Sequence, residues 1–453
     1  MNNLVIQQRQ YFNTHETKEI RFRLAQLNKL EAVLKSNEKL LFEAIYKDFK
    51  KSEFDTYVSE LALLYHDIKD ARKNLRKWAK VKRVRTNMLN FPAKSYIIPE
   101  PLGVCLVIGA WNYPYQLTLA PVIAAMAAGN TVIIKPSELS SSTSAVMVKL
   151  INENFDSKYL KVVEGGIPET TELLEQKFDK IFFTGSPQVG KIVYQAAAKN
   201  LTPVTLELGG KSPAFVTEDC NLKMTVKRLV WAKFLNAGQT CIAPDYVLVH
   251  KNMEQEFLEQ LKLEIEKEQF SIENKNYTQI INDRNLNRLS QLIDPEKICC
   301  GGEINALDRI IQPTVLEKVS FNDKIMEEEI FGPLLPVISY TDLEVAIRQV
   351  NSFPKPLACY IFTNNKVQKK KILKEISFGG GAVNDSVMHI ANSNLPFGGV
   401  GNSGIGNYHG EAGFKSFSHY KSILEKSNMM ELSLKYYPHT KGKLAWIKRF
   451  MKF

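Results

Sequence analysis

Long apolar runs are missing from this 453-residue chain. Stretches such as 104–110 and 122–128 are typical, and they fall far short of the roughly 18 apolar residues that a membrane-spanning helix needs. The first dozen residues are polar and lack the apolar core of a secretory signal. Cysteine is scarce. The six residues Cys105, Cys220, Cys241, Cys299, Cys300 and Cys359 show neither a CxxC spacing nor a regular framework. That excludes a small disulfide scaffold and fits free thiols in a reducing cytoplasm. Internal repeats and low-complexity linkers are also absent. A balance of 44% hydrophobic and 24% charged residues rules out a disordered chain or a collagen-like fibre. The length suggests roughly three domains. Lys and Arg number 59 against 48 Asp and Glu, so the net charge of +11 permits acidic partners without specifying one.

Leu27, Leu30, Leu34, Leu41 and Ile45 recur at three-to-four spacing with Lys and Glu between them. Residues 17–80 therefore read as helix, with a second helix from about Thr56. That helix runs into a basic stretch from Arg72 to Arg85. One interleaved aromatic, Trp78, and no nearby recognition motif make it a solvated face rather than a nucleic-acid site. From residue 94 short strands and helices alternate. Strands are expected at 95–99, 103–109, 131–135, 159–163, 180–184 and 204–207, and helices at 117–128 and 142–155. After Gly210 a second block follows, with helices at 224–235, 253–267 and 342–350 and strands at 246–250, 335–339 and 358–362. This alternation with short links is the pattern of open parallel α/β sheets, so two α/β units and something smaller are expected. Residues 301–334, rich in Gly, Asn, Asp and Pro, read as loops. In the basic segment 441–453, Leu444, Ile447, Phe450 and Met451 share one helical face, apart from Lys443, Lys448, Arg449 and Lys452. Such a helix suits peripheral membrane contact, or packing on a partner.

Several segments carry residue types suited to chemistry. Cys241 follows Asn236-Ala237-Gly238-Gln239-Thr240. A nucleophilic thiol must be reachable and partly ionised, and the small Ala237 and Gly238 permit a tight turn and close substrate approach. Alone, a cysteine after a small-residue loop is more often inert. Glu207 ends an apolar strand and precedes Leu208-Gly209-Gly210. Desolvation there raises a carboxyl toward neutrality and suits it to general-base work; the plainer reading is a strand-end acid capping a loop. Asn112, in Ala110-Trp111-Asn112-Tyr113-Pro114, offers an amide donor to a developing oxyanion. Lys135 and Glu138 end the next strand and could hold a ribose. Residues 185–191 match a phosphate loop in outline. Ile192 stands where Ser or Thr should hold magnesium, so an ATPase reading fails while a helix N-terminus near a cofactor phosphate stays attractive. Residues 399–404 match GxGxxG without a preceding strand and read as a loop. No metal site is expected.

Taken together, these segments resemble the aldehyde dehydrogenase superfamily. The likeness rests on Leu206-Glu207-Leu208-Gly209-Gly210-Lys211, Gly238-Gln239-Thr240-Cys241, Trp111-Asn112-Tyr113-Pro114, Lys135-Pro136-Ser137-Glu138, Phe183-Thr184-Gly185-Ser186, Glu329-Ile330-Phe331-Gly332-Pro333 and Pro396-Phe397-Gly398-Gly399. These occur in the family's order over about residues 15–425. The short N-terminus and the run from Gly401-Asn402-Ser403-Gly404 to Tyr408-His409-Gly410 look most like the class 3 branch, which includes enzymes for fatty and aromatic aldehydes.

The resemblance implies an α/β fold with a Rossmann-like cofactor domain (1–79 and 99–209), an α/β catalytic domain (210–400), a small β bridging element (80–98 and 401–430) and a basic tail (431–453). It implies Cys241 as nucleophile, Asn112 with the Cys241 N–H as oxyanion donors, each worth about 3–4 kcal/mol, and Glu207 as the base that activates water. The cofactor implied is NAD, with NADP also open. Lys135 and Glu138 would face the adenosine ribose. Gly185, Ser186, Val189 and Gly190 would lie near the pyrophosphate, and Trp111, Leu208, Gly209, Glu329 and Phe331 near the nicotinamide. Tyr113, Tyr115, Met388 and Ile390 are candidates for the substrate wall. A homodimer is implied. Pro187 departs from the small polar residue common there, and the pair Cys299-Cys300 has no role in the pattern. A coenzyme-A-acylating relative or a catalytically silent binding protein on the same fold are the alternatives; Glu207 opposes the first, and Cys241, Glu207 and Asn112 together oppose the second.

Overall fold

Three larger sheets and a two-stranded ribbon, Ile304–Asn305 with Ile310–Ile311, organise the described residues. The computed structural model describes residues 1–431 and 433–451, so Leu432, Lys452 and Phe453 of the expected tail lie outside the described residues. The chain divides into two compact units. The larger takes Met1–Trp78 and Pro101–Ser418, and the smaller takes Ala79–Glu100 and the chain from His419 onward. Both α/β blocks therefore fall in one unit. Residues 401–418, expected with the bridging element, belong to that larger unit.

The first sheet has six strands in the order Gly404–Ile405, Val204–Glu207, Lys180–Thr184, Val104–Ile108, Thr131–Lys135, Leu160–Val162. The last five are parallel. Val104–Ile108, Thr131–Lys135 and Lys180–Thr184 are buried along their whole length, as strands covered on both faces must be. From the central strand Val104–Ile108 the chain first builds outward on one side and then returns to build on the other. The strand order thus reverses between Val104–Ile108 and Lys180–Thr184, and ligands of open α/β sheets bind in the crevice at the carboxyl ends of such a switch.

The second sheet orders Ile298–Cys300, Thr314–Leu316, Leu334–Tyr340, Tyr246–His250, Pro213–Val216, Ala358–Phe362 and Gly380–Val383. Four of these strands were not expected: Ile298–Cys300 and Pro213–Val216 are short, Gly380–Val383 is rich in glycine, and Thr314–Leu316 lies inside the expected loop region yet pairs in parallel with Leu334–Tyr340. The smaller unit carries most of a three-stranded sheet, Lys82–Val84, Ala93–Pro101 and Ser418–Lys426, and a helix at Lys441–Phe450. Among the described residues no helix is long and apolar enough to cross a membrane.

The helical block is segmented: Ile20–Ser36, Glu38–Phe49 and Ala62–Trp78, with a π-helical turn at Tyr57–Leu61. Leu27, Leu30, Leu34, Leu41 and Ile45 are all buried. A further helix, Asn2–Phe12, was not legible because only Val5 and Gln8 of it are buried. The basic stretch lies on the outer face, with Arg72 paired to Glu31 while Ala71, Leu75 and Trp78 face inward.

One buried ion pair ties this block to the first sheet. The Lys51 ammonium meets the Glu60 carboxylate at 2.9 Å, and both side chains are fully buried. Glu60 also accepts from the backbone N–H of Tyr115 (2.8 Å) and Gln116 (3.3 Å), at the start of the helix Gln116–Ala128. An acid there satisfies N–H groups that a helix start leaves unpaired and complements the helix dipole. At the other end Gly129, at φ +97°, ends the helix with its N–H on Ala125 and Met126, a left-handed cap that glycine adopts freely. Lys51 additionally lies 4.0 Å from the Tyr113 ring centroid, so the pair holds the segment that carries Asn112. Breaking such a pair strands a charge in the interior. Glu60→Gln is expected to lower unfolding stability by about 3–5 kcal/mol, with Lys51→Met/Glu60→Gln recovering at least half. Urea denaturation checks this, and a loss below 1 kcal/mol in the single variant would refute the clamp.

Candidate active site

Strand register brings most of the expected residues to one edge. Ile108 is aligned with Lys135 and with Phe183, and Thr184 with Glu207, so the parallel strands end side by side. The segment after Ile108 carries Trp111, Asn112 and Tyr113 to this edge. Glu207 is fixed from its other side as well: Gly404 lies opposite it on the antiparallel strand, and the Leu208 N–H donates to the Ser403 carbonyl at 3.1 Å. The GxGxxG-like loop is thus a clasp on the Glu207 strand, not a phosphate cradle.

Cys241 follows a backbone turn that most residues avoid. Asn236, Ala237 and Gly238 stand consecutively at φ 55°, 51° and 70°, in the left-handed region that costs non-glycine residues about 1–3 kcal/mol each. Side chains hold it there. The Asn236 amide donates to the carbonyls of Asn112 (3.0 Å) and Gln239 (3.2 Å), and Asn112 Nδ2 donates to the same Gln239 carbonyl at 3.0 Å. The Gln239 amide donates to the carbonyls of Asn236 and Gln279, and its Oε1 accepts from the Ile281 N–H. Tyr113 and Thr240 share a hydroxyl hydrogen bond of 2.7 Å. Gly238 must be glycine, since a Cβ would strike the Gly332 carbonyl.

A second loop closes over the thiol. Asp245 accepts the Lys211 ammonium at 2.6 Å and the Ile330 N–H at 3.0 Å. Lys211 also donates to the carbonyls of Ile325 and Glu328, and Arg288 to that of Ile330 at 2.6 Å. This web fixes Glu329 and Phe331. The Phe331 ring meets Trp111 edge-on at 5.5 Å. A Cβ at Gly209 would run into the Glu329 carboxylate, so the glycine after Leu208 admits that acid to the pocket.

The electrostatics follow from burial. Both Glu207 oxygens are buried and bonded to no described group, and desolvation pushes the carboxyl well above its ordinary range. Burial raises Glu329 to about 8, with Asp245 adding to the rise and Lys211 and Arg288 opposing it. Burial, then Glu329, then Glu207 push the half-buried Cys241 thiol up to about 12, while the N–H groups of Cys241 and Ile242 pull the other way. The three groups are therefore neighbours, and in the free chain near neutral pH Cys241 rests as a thiol.

The cofactor candidates lie along the same edge. Lys135 is buried, donates to the Pro136 carbonyl at 2.7 Å and faces half-exposed Glu138 at 3.7 Å. Ser186 caps the helix Pro187–Ala198, its Oγ accepting from the Val189 N–H at 3.3 Å. Pro187 occupies the first helical position, where its missing N–H costs nothing. Gly190 packs against Leu208, where a Cβ would press into the leucine. Of the substrate candidates, Tyr113 reaches the Cys241 loop. Tyr115 does not line any accessible space: it is wholly buried, with its hydroxyl on the Leu41 carbonyl. Met388 is exposed and Ile390 half-buried. Missed in the sequence were Asn236, Gln239, Asp245 and Ser403. Asn236 alone carried a signal, as an asparagine, tolerant of left-handed backbone, just before Ala-Gly.

The aldehyde dehydrogenase family model matches residues 2–423. The 4,4'-diaponeurosporen-aldehyde dehydrogenase of Staphylococcus aureus is 46% identical over 98% of this chain and 97% of its own length. A rat protein named aldehyde dehydrogenase, dimeric NADP-preferring, is 44% identical over 96% and 97%. Further relatives are members of aldehyde dehydrogenase family 3. The solved structure of Staphylococcus aureus AldH in a substrate-bound state superposes with a TM-score of 0.97 at 45% identity, covering 99% of each chain.

Removing the Glu329 charge lowers the pKa of Cys241 and raises its thiolate fraction at any pH below that pKa. Glu329→Gln is expected to speed iodoacetamide labelling of Cys241 at pH 9 by roughly three- to tenfold, as read by peptide mass spectrometry. Unchanged or slower labelling would mean that Glu329 does not face the thiol.

Proposed function

We infer that this chain, which belongs to the aldehyde dehydrogenase family, oxidises a medium- or long-chain aliphatic or an aromatic aldehyde to its carboxylic acid, using NAD and accepting NADP. The observation that carries the mechanism is the convergence of Cys241, Glu207 and Asn112, which arrive from three separate segments and meet through the Asn112–Gln239 bond and the charge coupling of Glu207 to the thiol. Relatives named 4,4'-diaponeurosporen-aldehyde dehydrogenase and aldehyde dehydrogenase family 3 members support an aldehyde as the substrate.

Cys241 loses its proton and its sulfur bonds to the carbonyl carbon. The oxygen becomes an anion that accepts from the Cys241 N–H and from the Asn112 amide, whose second proton is not committed to Gln239. When bound, the nicotinamide supplies the redox chemistry by taking hydride from that carbon. Cys241 then holds the acyl group as a thioester. Glu207, ionised, takes a proton from water as the water oxygen attacks the acyl carbon, and the acid leaves with the thiol restored. A thioester destined for coenzyme A would not need this base.

The residues present fit the dinucleotide. Lys135 and Glu138 would hold the adenosine ribose, the capped helix start at Gly185, Ser186, Val189 and Gly190 would take the pyrophosphate, and Trp111, Leu208, Gly209, Glu329 and Phe331 would line the nicotinamide end. Glu138 accepts from a free 2′-hydroxyl and repels a 2′-phosphate, while Lys135 beside it attracts one. Hence NAD is preferred and NADP tolerated. A homodimer is supported by the dimeric relative and by exposed Val189, Ile192 and Tyr194 on the helix Pro187–Ala198; light scattering at the monomer mass would overturn it. The free cysteines, one of them the nucleophile, suit a reducing cytoplasm, and cell fractionation tests that placement.

Absorbance at 340 nm with a series from butanal to dodecanal and benzaldehyde tests the reading. Cys241→Ser should abolish turnover, and Glu207→Gln should leave the first hydride transfer while slowing acid release at least 100-fold. Because Cys241 acts deprotonated and burial with its acidic neighbours holds it up at about 12, kcat/KM should climb from pH 6 to pH 9. Glu138→Gln should raise NADP use relative to NAD several-fold. Full turnover in Cys241→Ser, or a pH profile that falls over this range, would sink the mechanism.

A further inference from the structure

Cys299 and Cys300 take no part in the reaction above. They lie in the edge strand Ile298–Cys300, which pairs with Thr314–Leu316. The register is broken there: Ile298 lies opposite Leu316 and Cys300 opposite Val315, so Cys299 is an extra residue in a β-bulge. In a regular strand adjacent side chains point to opposite faces. A bulge sets two residues against one partner and re-aims their side chains, and here it brings the two thiols close enough for each to shift the other's titration. Both cysteines are half-buried and hence reachable, whereas Cys105 and Cys359 are sealed in the core.

We propose that Cys299 and Cys300 form a two-sulfur binding site, separate from Cys241, for a trivalent arsenical. The choice of ligand follows from geometry. Adjacent Cα atoms lie only about 3.8 Å apart across a trans peptide, below the usual Cα separation of a disulfide, so a direct S–S bond is strained. An inserted atom bonded to both sulfurs enlarges the ring and relieves this. Zinc and its neighbours require further protein ligands, and the described residues hold no cluster of three or more His, Cys, Asp or Glu side chains. A pyramidal arsenic centre carries its own third substituent and needs only the two sulfurs. The step balances without electron transfer: two As–S bonds form, the arsenic–oxygen bond breaks, and the oxygen leaves as water with the two thiol protons. The neighbouring Cys300 thiol and Lys262 lower the Cys299 thiol against burial and Glu317, so the pair presents a nucleophilic sulfur.

Phenylarsine oxide is the probe. Reduced protein, treated with one equivalent and then with excess β-mercaptoethanol, should retain one phenylarsenic unit by intact mass and release it to 2,3-dimercaptopropanol. Cys241→Ser should retain it equally. Cys299→Ser and Cys300→Ser should each lose the monothiol-resistant adduct by at least tenfold while keeping aldehyde turnover, which reports that they are folded. An adduct that β-mercaptoethanol strips from the wild-type protein, or that survives in either serine variant, would overturn the proposal; so would its loss in Cys241→Ser.

Discussion

A turn that its own backbone resists lies behind the geometry of the active-site pocket. Three consecutive left-handed residues, two of them not glycine, deliver Cys241 to the strand edge. Asn236 and Gly238 tolerate that path locally, but Ala237 does not. It persists because Asn236 spends both amide protons on the carbonyls of Asn112 and Gln239, and because Gln239 is anchored to Gln279 and Ile281. The same bonds fix Asn112. The turn before Cys241 and the Asn112 side chain are therefore positioned by one network. The Lys51–Glu60 pair extends this control outward by holding the chain just beyond Asn112.

Around that turn the protein gathers acids in a place that disfavours charge. Glu207 and Glu329 both rest above the usual carboxylate range, and each pushes the thiol further up. Such a pocket is chemically quiet until a ligand changes its field. Lys211 and Asp245 carry the opposite task. Their pair pins the loop that brings Glu329 in, and Lys211 moderates the rise of Glu329. A thiol kept protonated is protected from stray electrophiles, while a carboxyl kept near neutrality can give up its proton where ordinary acids would already be ionised.

The five parallel strands of the first sheet were legible because a parallel sheet buries whole segments: Thr131-Val132-Ile133-Ile134-Lys135 can hardly be anything else. The strand Gly380–Val383 was not, because its glycines are chosen for close backbone approach, which a propensity pattern cannot register. The site shows the same division. Cys241, Glu207 and Asn112 were singled out by the ordered run of family-like motifs, since small neighbours and strand ends alone left plainer readings open. Tyr115 was a candidate for the substrate wall, yet its hydroxyl serves the core. Asp245 and Ser403 act through distant backbone atoms, and no local pattern marks a residue whose partner lies 85 positions away, as Ile330 does from Asp245.

The antiparallel strand Gly404–Ile405 also bears on how the molecule is made. It returns to Leu206 and Glu207 across nearly half the chain, and the sheet of the smaller unit joins Ala93–Pro101 to Ser418–Lys426 across a still longer interval. Pairings of such separation are slow because loop closure precedes any reward. On the ribosome, the helices and inner strands can assemble as they emerge, but the edge beside Glu207 stays open until residue 405 has been synthesised. The Glu207 strand is thus sheltered late, and an interrupted chain ends as a partial sheet with an exposed edge, prone to pairing with other chains.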